Sequence, residues 1–163
     1  MKSLAALACL LLLTPSVQAQ TCRLTEAPTV RGLKLGQPFA QAVKVIRNEA
    51  AGGPTDKGRA RMVRLAVGSL PSPEFDGVSM VRLASADGDL LSEVEITYDR
   101  TATWKSDREF ADAIADSLSL PKRGWRDDPF HTLRCEGFSV TVRASRRLLT
   151  ISRTGLQGEA KTR

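Results

Sequence analysis

The chain has 163 residues, with 24 Lys and Arg against 18 Asp and Glu, a single histidine, three cysteines and a formal net charge of +6. One histidine excludes metal centres and relays built on several imidazoles. The modest excess of basic residues, with aromatics at only 5% of the chain, gives no continuous basic stacking platform for nucleic acid.

The chain opens MKSLAALACLLLLTPSVQAQ, with one early charge at Lys2, an apolar run from Leu4 to Leu13, and small residues at Val17 and Ala19. This is the pattern of a secretory signal peptide over residues 1–19, cleaved after Ala19. An N-terminal anchor is the alternative, but the apolar run is shorter than the roughly 20 residues a spanning helix needs. Neither Cys9 nor Cys22 sits in a lipid-attachment box, and no transmembrane segment is expected after signal removal. Export places the protein in a periplasmic or secreted, oxidising setting. Residues 20–153 then form one α+β domain, and 154–163 a flexible polar tail.

Signal removal leaves two cysteines, Cys22 and Cys135. In an exported chain such a pair reads first as a disulfide, ahead of a metal site or a nucleophile.

Val30 to Gly36 reads as a brief strand entering a turn. Phe39, Ala42, Val43, Ile46 and Ala50 then share one helical face between Gln37 and Ala51. Pro38 suits the first turn, and Gly52-Gly53-Pro54 ends the helix. Arg61 to Val67 alternates, with Val63, Leu65 and Val67 together. A proline-containing loop follows at 68–74, then a mixed strand from Val78 to Ala84. Asp87-Gly88-Asp89 signals a hairpin turn into Leu90–Tyr98, with Val94, Ile96 and Tyr98 inward and Glu93, Glu95 and Thr97 outward.

Ser106-Asp107-Arg108-Glu109 forms a capping box for a second helix, whose expected buried stripe is Phe110, Ala113, Ile114, Ser117 and Leu118. Pro121 closes it. Two or three strands finish the chain: Phe138, Val140 and Val142 alternate with Ser139, Thr141 and Arg143, and Leu149 and Ile151 return. The fold class expected is two helices packed on an antiparallel sheet.

An internal echo runs through this order. FDGVSMVRLAS at 75–85 resembles CEGFSVTVRAS at 135–145, and Phe39-Ala40-Gln41-Ala42-Val43 resembles Phe110-Ala111-Asp112-Ala113-Ile114. The order predicts a duplicated helix-plus-three-strand unit over 30–99 and 104–153. Chance likeness between amphipathic elements is the alternative.

The catalytic inventory is thin. No Gly-x-Ser-x-Gly elbow and no His-Glu-x-x-His helix occurs. His131 and Cys135 lie four positions apart on a strand, about 13 Å, too far to act together. The paired carboxylates Asp87/Asp89, Glu93/Glu95 and Asp127/Asp128 read as solvated turns or strand faces. The calcium-loop pattern begun at Asp87 fails at Leu91. No metal, cofactor or enzymatic activity is expected.

Charge is instead blocked along the chain: residues 87–116 are net acidic and 119–163 net basic. This suits steered docking to a protein partner in the cell envelope. Candidate contact residues are Arg143, Arg146 and Arg147 around a hairpin, Glu93 and Glu95 on a free sheet face, and Trp104 and Trp125 flanking the second helix. The loop at 68–77 is a second candidate surface.

Gly32-Leu33-Lys34-Leu35-Gly36 running into a helix with Val43, followed by Gly53-Pro54, resembles the opening of BamE/OmlA-type proteins of bacterial outer-membrane assembly. Those share a helices-on-a-sheet fold with β-lactamase-inhibitory-protein-like domains, which are exported and duplicated. The element order is also similar to PepSY-type domains. The chain departs in lacking a lipid-attachment cysteine and in its longer helix before Gly-Pro. The absence of a catalytic constellation, export, a small stapled scaffold and the charge blocks point to a protein-binding role, most specifically inhibition or immunity against an envelope-acting enzyme. The resemblance implies, as the alternative, an envelope-assembly accessory role. A hydrolase using an unrecognised carboxylate site is the remaining alternative.

Overall fold

Apolar residues two apart along each strand come into register across one antiparallel seven-stranded sheet. The computed structural model describes residues 22–47, 61–66, 75–127 and 129–154. Helix α1 (Phe39–Arg47) precedes β1 (Arg61–Ala66), β2 (Val78–Ser85) and β3 (Glu93–Tyr98). Helix α2 (Asp107–Leu118) precedes β4 (Trp125–Asp127), β5 (His131–Arg134), β6 (Phe138–Arg143) and β7 (Leu148–Arg153). The sheet order is β1-β2-β3-β7-β6-β5-β4. Val63, Leu83, Val94, Ile151, Val140, Leu133 and Trp125 form one transverse row, one residue from each strand. Both helices cover this face, α1 over β2 and α2 over β6 and β5.

The two halves occupy equivalent places. Meanders β1-β2-β3 and β5-β6-β7 meet where β3 pairs with β7, and each helix covers the middle strand of its half. Strand β4, unexpected from the sequence, extends the second half by a fourth strand. The letter-by-letter echo does not survive in detail. A bulge between Val78 and Met80 shifts the inward positions to Val81 and Leu83, so Arg82 faces outward while its counterpart Val142 is buried. Ser79, the extra residue, donates to the carbonyls of Thr97 and Tyr98.

Several local expectations shift for identifiable reasons. Val30 to Gly36 is not a strand: Val30 and Leu33 exchange backbone hydrogen bonds across Arg31 and Gly32, both at positive φ (51° and 78°). This is a tight reverse turn whose flanking side chains are buried. Helix α1 carries no acidic residue in its first turn. Its first amide is met by the β2–β3 connection instead, Phe39 N donating to Asp89 O at 2.8 Å.

Helix α2 begins as the sequence indicates, with Glu109 N donating to Ser106 Oγ at 3.1 Å. Glu109 reaches back to Lys105 N rather than to the cap residue. Its buried face is Phe110, Ala111, Ile114 and Ala115, while Ala113 and Ser117 are exposed. Ser119, at φ 55°, ends the helix ahead of Pro121.

Cys22 and Cys135 form the expected disulfide across 113 residues. Thr154, placed in the flexible tail by the sequence reading, is fixed: its hydroxyl donates to Glu136 O and its amide to Gly137 O. The signal segment 1–19, the helix stop at 52–54, Ala50, Val67, the loop at 68–74 and the tail from 155 lie outside the described residues. No helix among the described residues is long and apolar enough to cross a membrane.

Candidate functional site

Alternation that sends one set of side chains under the helices sends the other to an uncovered face. Arg64, Arg82, Glu95, Thr150, Thr141, Thr132 and Arg126 form the polar row beside the apolar one, again one residue per strand. Beside it, Glu93, Ser152, Ser139 and Arg134 form a second. The open face bounds a concavity of ≈ 680 Å³ lined from Arg82, Glu93 and Glu95 at one end to Phe130, Arg143 and Arg146 at the other.

Its two ends differ electrostatically. At the β2–β3 end, Arg82 Nη2 donates to Glu93 at 2.6 Å and to Glu95 at 2.8 Å, with all three side chains at most 28% exposed. Register explains the triad: Arg82 lies opposite Glu95, and Glu93 is two residues along the same face. Two carboxylates share one guanidinium here, and Arg64 stands opposite Arg82 on β1, so this end is close to charge-balanced.

At the β5–β7 end, Arg134, Arg143, Arg146 and Arg153 line the concavity, and none pairs with a carboxylate among the described residues. The Arg143 guanidinium lies on the Phe130 ring, 3.2 Å from its centroid. Stacking of this kind fixes the fork and its charge in place.

Between them runs a hydroxyl floor. Thr132 Oγ1 donates to Phe130 O and lies 3.0 Å from Thr141 Oγ1, and Ser139 and Ser152 hydroxyls meet at 2.9 Å.

The sequence-selected residues divide clearly. Glu93, Glu95, Arg143 and Arg146 share the concavity. Arg147 does not; at φ 52° it turns away and donates through Nε to Tyr98 O at 3.4 Å. Trp104 stacks on Phe110 at 3.8 Å and meets Tyr98 edge-on, so it seals the start of α2. Trp125 stacks on His131, and its Nε1 donates to Pro121 O. Both indoles are committed internally, on the helix-covered side.

His131 Nδ1 lies 2.6 Å from Asp127 Oδ1, away from the open face, and Cys135 is consumed by the disulfide. Sequence reasoning missed Arg82, Thr132, Thr141, Thr150 and Arg134. The outward alternation of β5 to β7 carried the signal, but partners across strands did not.

A smaller concavity beside the N-terminal arm is lined by Glu26, Lys34, Gln37 and Gln41, with Lys34 and Glu26 paired at 3.0 Å. Among the described residues no group of three His, Cys, Asp or Glu side chains converges as a metal site would require. No protein-family model, curated protein or solved structure matches the chain.

Proposed function

We propose that this is an exported protein-binding domain that acts through its open sheet face, as an inhibitor or immunity-type protein for an envelope-acting enzyme. The observation that carries this reading is the face itself. A helix-covered sheet would ordinarily leave a flat solvated surface. Here five strands, β2, β3 and β5 to β7, line a continuous polar concavity of ≈ 680 Å³ with a stacked arginine and a partly buried ion triad.

The Cys22–Cys135 bridge supports work in an oxidising compartment, and the signal-like N-terminus supports the periplasm. The bridge and the central β3–β7 pairing favour a rigid scaffold, which lowers the ordering cost of binding.

The test uses the oxidised protein immobilised against a periplasmic extract, beside a Thr150→Arg variant that fills the middle of the face. Retention of one soluble enzyme, whose turnover falls when the protein is added and recovers with the variant, is the expected result. Retention of outer-membrane assembly machinery instead would assign the accessory role. Turnover of a cell-wall or lipid substrate by the protein alone would replace both with the hydrolase reading.

A further inference from the structure

We infer that the open face seats an extended acidic segment of the partner protein, with its carboxylates over β5–β7 between Arg143 and Arg146. This rests on the protein-binding reading above and specifies the chemistry of the partner's contact.

Donor arithmetic makes the first argument. Four guanidinium groups border the β5–β7 end, and no described carboxylate engages any of them. In the hydroxyl floor, Thr132 spends its proton on Phe130 O, so Thr141 donates to Thr132. The Ser139–Ser152 contact consumes one of its two protons. Thr150 Oγ1 has no hydrogen-bond partner among the described residues. The donors left unspent at the β5–β7 end are therefore the guanidinium groups themselves, an arrangement suited to carboxylate oxygens, while Thr150 and Ser152 stand opposite Glu95 and Glu93.

Preorganisation makes the second. Arg143 is held on Phe130, and its buried Nε has no partner. The fork is already ordered before anything binds, so little rotamer entropy remains to be lost.

Shape and polarity make the third. A lone small anion would leave most of ≈ 680 Å³ unfilled, whereas an extended segment crosses it. At the far end the Arg82 fork is already occupied by Glu93 and Glu95, which leaves it unavailable to a further carboxylate. The segment is therefore acidic over β5–β7 and neutral or basic over β2–β3. An anionic glycan would favour several aromatic faces for its sugar rings, and this concavity has one aromatic residue, Phe130, with Arg143 stacked on its ring.

The experiment titrates isotope-labelled, oxidised full chain with hexaglutamate, hexalysine and trigalacturonate while following backbone amide shifts. Hexaglutamate is expected to move the amides of Thr132, Thr141, Arg143 and Thr150, with affinity falling as salt rises. Arg143→Gln and the exposed-site variant Arg146→Glu should each weaken it about tenfold or more, the loss expected of a charge-assisted pair. Arg147→Gln, outside the concavity, should leave it unchanged.

Open-face shifts that are absent at millimolar peptide, equal for hexalysine, or unaffected in Arg146→Glu would overturn the inference. Tighter binding of trigalacturonate would reassign the face to a glycan. An enzyme inhibited equally by the wild type and by Arg143→Gln/Arg146→Glu would remove the acidic segment while leaving the inhibitor function intact. Hexaglutamate binding without any inhibited enzyme would do the reverse.

Discussion

The carbonyl oxygen of Thr25 occupies the space from which a side chain at Gly137 would extend, so a Cβ placed there would run into it. The contact is part of a larger closure. Cys22 bridges to Cys135, and Gly137 N donates to Leu24 O at 3.4 Å, so the N-terminal arm runs against the β5–β6 turn. Gly137 is needed here for close approach of two backbones rather than for an unusual torsion. Gly137→Ala is expected to cost about 2–3 kcal/mol in urea unfolding, because backbone rather than a side-chain tip must yield.

Replacing both Cys22 and Cys135 by Ser should cost about 2–5 kcal/mol, since the bridge restrains a long loop in the unfolded chain. The same replacement frees the arm, so Gly137→Ala should cost clearly less in that background. Equal penalties with and without the disulfide would show that the arm is not what Gly137 accommodates.

Asp87 organises the β2–β3 connection. It accepts from Ser85 Oγ and from the amides of Asp89 and Leu90. Those donors, the Leu90 amide foremost, lower its pKa from 3.8 to about 2. Since the folded value lies below the unfolded one, the stabilisation is complete above pH 4 and is lost as pH falls through about 2. Melting curves of wild type and Asp87→Ala should differ most above pH 4 and converge toward pH 2. A constant gap across that range would contradict the assignment.

Arg82 holds Glu93 and Glu95 together on one face of β3. Arg82→Met should cost about 1–3 kcal/mol, because two partly buried carboxylates lose their common partner. Adding Glu93→Gln and Glu95→Gln should recover most of that loss in chemical denaturation. Failure to recover would mean that the arginine acts through packing of its stem, not through charge.

The legible part of the fold was the part written in neighbouring residues. The spacing of Phe39, Ala42, Val43 and Ile46 specifies a buried helix face, and Ser106 its counterpart's cap, through contacts within a few positions. The Val30–Gly36 segment reads as a strand because Leu33 and Leu35 alternate with Lys34, whereas Val30 and Leu33, three residues apart, bury together only when Arg31 and Gly32 turn the chain. The buried stripe of α2 was misplaced because Ala111 and Ala113 are chemically identical. Only the facing sheet selects between them.

The candidate site divides along the same line. Alternation in β3 and β6 placed Glu93, Glu95 and Arg143 on one outward face, but it could not tell Arg146, which joins them, from Arg147, which turns away at φ 52°.

By itself, the sequence determined the α+β class, the two helices and the inward residues of β3, β6 and β7, and it pointed to the pairing of Cys22 with Cys135. These follow from periodicity, capping and cysteine count, each acting locally or by elimination. The tertiary structure alone decided that β3 and β7 meet at the centre, that Arg82 serves two glutamates, and that Arg143 rests on Phe130. Register between distant strands is fixed by burial summed over the whole sheet. A one-residue bulge at Ser79 is enough to exchange which side chains reach the open face.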